Sequence, residues 1–227
     1  METLYSRLKE NPALARVLPM MVVLILTFFQ GKFGGESQYW MYLIKTLAGV
    51  WLVWLIWPLV REMRWQFSLE AVVCGVIVFG AWVFLDPFYP KFGMDAGNSW
   101  NLSPENGDFL GDPVMRWFYA SIRIVGSTLM IPMVEEVFYR SFLYRYIHTQ
   151  EWHSMSLSRF AWKPFLIGSV LFGMTHGAQW LAGILCGMMF QLLVIRRGKL
   201  GDSITAHAVA NLLLGIWVVT KDDWKFW

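Results

Sequence analysis

Apolar stretches recur along this chain, near residues 17–30, 40–60, 69–85, 113–148, 164–175, 180–195 and 203–220, of which the first and the 164–175 stretch are short for a membrane crossing. About 20 apolar residues suffice to cross a hydrocarbon core of roughly 30 Å, and a chain in lipid must satisfy its backbone polar groups internally. The pattern therefore predicts an all-α, polytopic transmembrane bundle of about seven to eight helices. Composition agrees: 15% of residues are charged and 56% hydrophobic, whereas soluble domains carry about a quarter charged residues. Without a Pro/Gly/Ser-rich linker, internal repeat or low-complexity tract, residues 1–227 read as one integral-membrane domain, with the lipid bilayer as its first partner.

The connections orient the bundle. Basic residues cluster at the N-terminus, at Arg61 and Arg64, from Arg145 to Lys163, and from Arg196 to Lys199. The long connection from Asp86 to Asp112 is instead acidic, with Asp95, Glu105 and Asp108 against a lone Lys91. Positive charge marks the cytoplasmic side, which puts the acidic connection outside and requires seven crossings. Asp112 before Pro113 has the form of an N-cap and first helical residue. Asp202 is expected to cap the last span, and Pro132 to kink or restart the helix it sits in, giving eight helices in seven crossings. The first apolar run resembles a signal peptide, but no small-x-small site follows it, so an uncleaved span is expected. Cys74 and Cys186 lie inside apolar runs and read as small hydrophobes rather than a disulfide. The net charge of +3 is spread between spans and makes no basic face, so nucleic acid is not an expected partner.

Against this background Glu135-Glu136 stands out, two carboxylates within Val134–Arg140 with no charge from Ile124 to Val134. Burying an ionised carboxylate costs several kcal/mol unless partners are supplied, and an intramembrane acid is a functional-site candidate by default. Arg140 is i+4 from Glu136, in the favourable order of acid before base. It lies five residues from Glu135, about 140° round the helix. Glu136 and Arg140 are therefore read as a structural pair, and Glu135 is left for chemistry.

The remaining polar groups in apolar context lie further on. His176 follows Phe172 at i+4, and Asn211 follows His207 at i+4, so each pair shares a helix face. Singly, each has a structural reading: Phe172 as packing, each His as a helix–helix hydrogen bonder, and Gly173, Gly177, Gly183 and Gly187 as close helix packing. Jointly, a carboxylate, two imidazoles and a carboxamide on three helices can build a hydrolytic centre. A desolvated Glu135 suits proton abstraction and can hold a water together with His176, while His207 and Asn211 can donate to an oxyanion.

Glu135-Glu136-x-x-x-Arg140, Phe172-x-x-x-His176 and His207-x-x-x-Asn211, in that order, resemble the three motifs of the CAAX protease and bacteriocin-processing family, within residues 133–214. The resemblance implies a membrane-embedded endopeptidase that cleaves a membrane-associated or lipid-modified polypeptide through a Glu/His-activated water. In that scheme Glu135 and His176 activate the water, His207 and Asn211 form the oxyanion hole, and Glu136, Arg140 and Phe172 support them. Two His and a Glu can also ligate zinc; the expectation here is no metal and no other cofactor, because the oxyanion role then uses His207 and Asn211 together. The short, Trp-rich chain is similar to bacterial members, which implies the bacterial inner membrane. The alternative within the family is a non-catalytic immunity or scaffold protein of the same fold. A proton-coupled transporter fits less well, since the polar groups occupy only the second half and no repeat accompanies them.

Overall fold

The computed structural model describes residues 3–91, 100–103 and 112–227. Asp95, Glu105 and Asp108 of the acidic connection lie outside the described residues. Among those described there are eight helices and no strand, as the apolar pattern predicts. They are α1 (Leu4–Glu10), α2 (Pro12–Phe29), α3 (Ser37–Ile56), α4 (Leu69–Phe84), α5 (Pro113–His148), α6 (Trp162–Met174), α7 (Trp180–Arg197) and α8 (Leu200–Lys221). Five of these, α2, α3, α5, α8 and the helical stretch Gly177–Arg197 containing α7, are long and apolar enough to cross a membrane; α4 and α6 are shorter apolar helices. The protein is an integral membrane helical bundle. Its outward-facing positions are apolar, among them Leu47, Trp51 and Trp54 on α3 and Val73 and Ile77 on α4, as a surface in contact with acyl chains requires.

Local sequence explains most helix starts. The Asn11 side chain accepts from the Ala13 and Leu14 amides at 3.1 and 3.0 Å, with Pro12 as the first residue of α2. Asp112 accepts from the Val114 amide at 2.8 Å and Pro113 opens α5, as expected. Asp202, however, does not cap α8. That helix begins at Leu200, and Asp202 is buried in its first turn, accepting from Ser68 at 2.6 Å and pairing with Arg197 at 3.2 Å. Ser68 also caps α4, so one hydroxyl ties the starts of α4 and α8 together.

Pro132 does not restart α5 either. The helix runs on through two π-helical stretches, Gly126–Met130 and Val137–Leu143, with the α-helical turn Ile131–Glu136 between them. A proline ring clashes with the carbonyl four residues back in a regular α-helix. Widening the preceding turn to i→i+5 bonding relieves that clash without breaking the helix. The eighth helix of the bundle is the short α1, whose Leu8 is buried against Ala15 and Ile56.

Helices α6 and α7 form a tight hairpin because small residues line their contact. A Cβ on Gly183 would stand 2.8 Å from the Gly173 Cα, and one on Gly187 3.1 Å from the Ser169 Cα. Gly177 plays a different part from the packing role expected of it: nothing lies within 4 Å of its Cβ position, and its φ of +57° makes the turn into α7. That turn returns the chain beside the ends of α4 and α8, where Trp180 donates to the Pro90 carbonyl at 2.9 Å. Cys74 and Cys186 are both buried and free.

At the basic end, Glu62 joins three parts of the chain. It accepts from Arg16 of α2 at 2.5 Å, from Ser141 of α5 at 2.6 Å and from Arg145 of α5 at 3.2 Å. Trp152 lies across both guanidinium groups, 5.0 Å from Arg16 and 5.1 Å from Arg145.

Candidate active site

The α-helical turn between the π stretches of α5 carries both carboxylates, and α8 crosses beside it. Glu136 is fully buried and surrounded by donors. Arg140 approaches Oε2 at 3.3 Å, Ser203 donates to Oε2 at 2.5 Å, and His207 Nδ1 lies 3.1 Å from Oε1. Three partners, one of them cationic, replace the hydration that burial removes. The pairing of Glu136 with Arg140 is the one read from the i+4 spacing. The contacts from α8 add a second role, because a carboxylate on the Nδ1 side fixes that nitrogen as a donor and turns Nε2 towards Glu135.

Glu135 faces the other way. Its side chain is 13% exposed and its Oε2, 3.9 Å from His207 Nε2, accepts no hydrogen bond from any described residue. It lines a cavity of about 170 Å³ that is also lined by His176, His207 and Asn211. All four residues expected to carry chemistry thus line one cavity, whose other walls include Phe79, Trp82 and Phe190.

Each ring is held from behind. His176 sits at the end of α6 with Nδ1 2.7 Å from the Phe172 carbonyl, so Nε2 is left for the cavity. Phe172, buried as expected, packs its ring 4.6 Å from His176 and lies under the Arg140 guanidinium at 4.3 Å. Trp82 meets His176 edge-on at 5.2 Å. Phe190 stacks on His207 at 4.9 Å. Aromatic contacts of this kind restrict ring rotation at little desolvation cost.

Asn211 is anchored by a route the sequence reading did not find. Its Nδ2 donates to the Ser127 carbonyl at 2.8 Å. Within the π stretch the Ile131 amide bonds to the Gly126 carbonyl, so it does not serve Ser127. The next amide in register would come from residue 132, which is proline and has no N–H. The widened turn and Pro132 together leave one carbonyl free, and the Asn211 amide fills it, keeping a second N–H for the cavity. Ser203 was also missed, though it lies at i−4 from His207 and therefore on the same face of α8.

Among the described residues, no group of three His, Cys, Asp or Glu side chains is placed to hold a metal ion. His207 Nδ1 is committed to Glu136 and His176 Nδ1 to a backbone carbonyl, which leaves one nitrogen on each ring.

The fold and the site define a multi-helix membrane bundle in which a carboxylate, two imidazoles and a carboxamide line one aromatic-walled cavity. Residues 116–213 match the family model of the type II CAAX prenyl endopeptidases, Rce1-like. The matched segment contains all three motifs and supports membership of the CAAX protease and bacteriocin-processing family. No curated protein and no solved structure matches the chain.

Proposed function

We propose that the protein is an intramembrane endopeptidase that hydrolyses a peptide bond in a membrane-associated or lipid-modified polypeptide, in a bacterial inner membrane. The observation that carries this reading is the convergence of Glu135, His176, His207 and Asn211 on one cavity, together with a match to a family described as endopeptidases. Glu135 is the base. Its Oε2 has no protein partner and is the acceptor for a proton of the attacking water, which His176 Nε2 helps to hold. The water oxygen bonds to the scissile carbonyl carbon, and the carbonyl oxygen becomes an oxyanion. Asn211 supplies its free N–H to that oxyanion, and His207 supplies Nε2–H when its ring is doubly protonated. Collapse breaks the C–N bond, and the proton held by Glu135 passes to the departing amine. The products are one acid and one amine, and no other reactant is required.

The decisive experiment is Glu135→Gln in purified protein, assayed for cleavage of a lipidated peptide. The side chain keeps its shape and loses its base, so cleavage should fall by about 10²-fold or more. Thermal unfolding should stay within about 1 kcal/mol of wild type, since Glu135 holds no structural partner. Wild-type cleavage by this variant would remove Glu135 from the mechanism. In the same assay a strong chelator should leave the rate unchanged; loss that added zinc restores would make the enzyme a metallopeptidase instead.

A further inference from the structure

The cavity that holds Glu135 is smaller than the kind of chain it is proposed to cut. Its volume is about 170 Å³. A cavity of roughly 150 Å³ takes one benzene molecule, and sites for drug-sized ligands run to roughly 300–1,000 Å³. An extended peptide passing Glu135 therefore needs a wall to move. Most of the wall is membrane helix: apart from His176 in the α6–α7 turn, the lining residues as far as Leu214 lie on α3 to α8. Phe226 and Trp227 are different. They belong to a short strap after α8, where Asp222 takes a left-handed conformation at φ +53° and the Asp223 amide bonds back to the Val218 carbonyl at 3.2 Å.

The strap is lightly fastened. Lys225, its side chain 56% exposed, pairs with Asp86 beyond the end of α4 at 3.4 Å and with Asp223 at 3.5 Å. Its carbonyl accepts from Gln179 at 3.4 Å. Ion pairs this exposed contribute little. Aromatic contacts hold the rest: Trp227 lies 6.2 Å from the Trp100 ring and 5.3 Å from the Arg123 guanidinium, and Phe226 packs with Val83 and Val218. The closed position also leaves Trp224 Nε1 buried with no acceptor among the described residues, a penalty that exposure to water or headgroups relieves. Asp86 begins the acidic connection that the charge pattern puts outside, so the strap lies at a membrane interface, where displaced tryptophan rings are well accommodated. We propose that residues 223–227 are a lid, hinged at Asp222, which swings out of the cavity into that interface to admit the polypeptide. The movement itself needs no peptidase; its effect on cleavage rests on that reading.

The test reads entry rather than turnover. Cys186 lines the cavity and Cys74 is the other thiol of the chain. In Cys74→Ala protein, held in phosphatidylcholine nanodiscs, a charged methanethiosulfonate therefore reports access to the cavity as a gain in mass at Cys186. Lys225 does not line the cavity, and Lys225→Glu sets a third carboxylate beside Asp86 and Asp223. On the Cys74→Ala background it should speed labelling by about 5-fold or more, through the lost pairs and the new repulsion. Replacing residues 223–227 with glycine and serine should speed it further. An unchanged rate in Lys225→Glu overturns the proposal, even where the replaced strap fails to fold. Hydrogen exchange separates a moving lid from a loosened bundle: the gain in Lys225→Glu should be confined to residues 222–227, and a gain spread along α8 overturns the proposal. The two readings fail separately. Lid-dependent labelling in protein that cleaves no lipidated peptide removes the peptidase and keeps the lid, whereas cleavage with labelling indifferent to Lys225 removes the lid and keeps the peptidase.

Discussion

Adjacent residues on a helix point about 100° apart, and at Glu135 and Glu136 that rotation separates two kinds of carboxylate. Glu136 meets Arg140, Ser203 and His207 in a site closed to solvent, while Glu135 opens on the cavity. The pairing of Glu136 with Arg140 was legible from their i+4 spacing. The contact of Glu136 with His207 was not, because it depends on how α8 lies against α5. It makes Glu136 a positioning residue for His207 as well as a counter-ion for Arg140. Glu136→Gln should therefore lower stability by about 3–5 kcal/mol, the usual result of leaving a buried charge without its partner. Thermal unfolding in one detergent, run beside Glu135→Gln, checks this. Melting of the two variants at the same temperature would show that Glu136 carries no structural load.

At the scale of elements, α5 determines where the two carboxylates sit. Its two π stretches bracket the turn that carries the carboxylates, and the first of them sets Asn211 through the Ser127 carbonyl. A proline in an apolar run is readable as a helix disturbance, and here the expected form of that disturbance was a kink or a restart. The structure relieves the clash of the proline ring by widening the preceding turn instead, an alternative that a single sequence does not distinguish from a kink. Pro132→Ala tests the consequence. Residue 132 would regain an N–H that can satisfy the Ser127 carbonyl, and alanine is a far better helix former than proline, by up to about 3 kcal/mol in an ordinary helix. The variant should be at least as stable as wild type and yet cleave about 10-fold more slowly, because Asn211 loses its anchor and with it its aim at the oxyanion. Activity equal to wild type, measured as kcat on the same lipidated peptide, would show that the proline does not act through Asn211.

For the whole molecule, the apolar spacing was enough to predict an all-α membrane bundle, since lipid leaves a spanning chain few other options. What it left open is how the basic end is locked, because Arg16, Glu62 and Ser141 are far apart in sequence and meet only when α2, α5 and the turn that follows α3 are packed together. Burial pulls the Glu62 carboxyl upward, but Arg16 and the hydrogen bonds from Ser141 and Arg16 outweigh it and hold the group below its ordinary value of 4.5. A carboxyl lowered by folding contributes stability above its unfolded value and loses it as pH falls through the folded one. The melting temperature should accordingly be insensitive to Glu62 between about pH 7 and 5 and decline below about pH 4.5 as the latch protonates. Glu62→Gln should melt lower than wild type at neutral pH, because Arg16 and Arg145 are left facing each other without a shared anion. As the acid takes wild type through the same loss, the difference between the two proteins should shrink. Thermal unfolding followed from pH 7 to pH 3 measures that difference directly. A gap that stays constant into the acid range would mean that the ionisation of Glu62 is not what fastens α2 and α5 to the turn after α3.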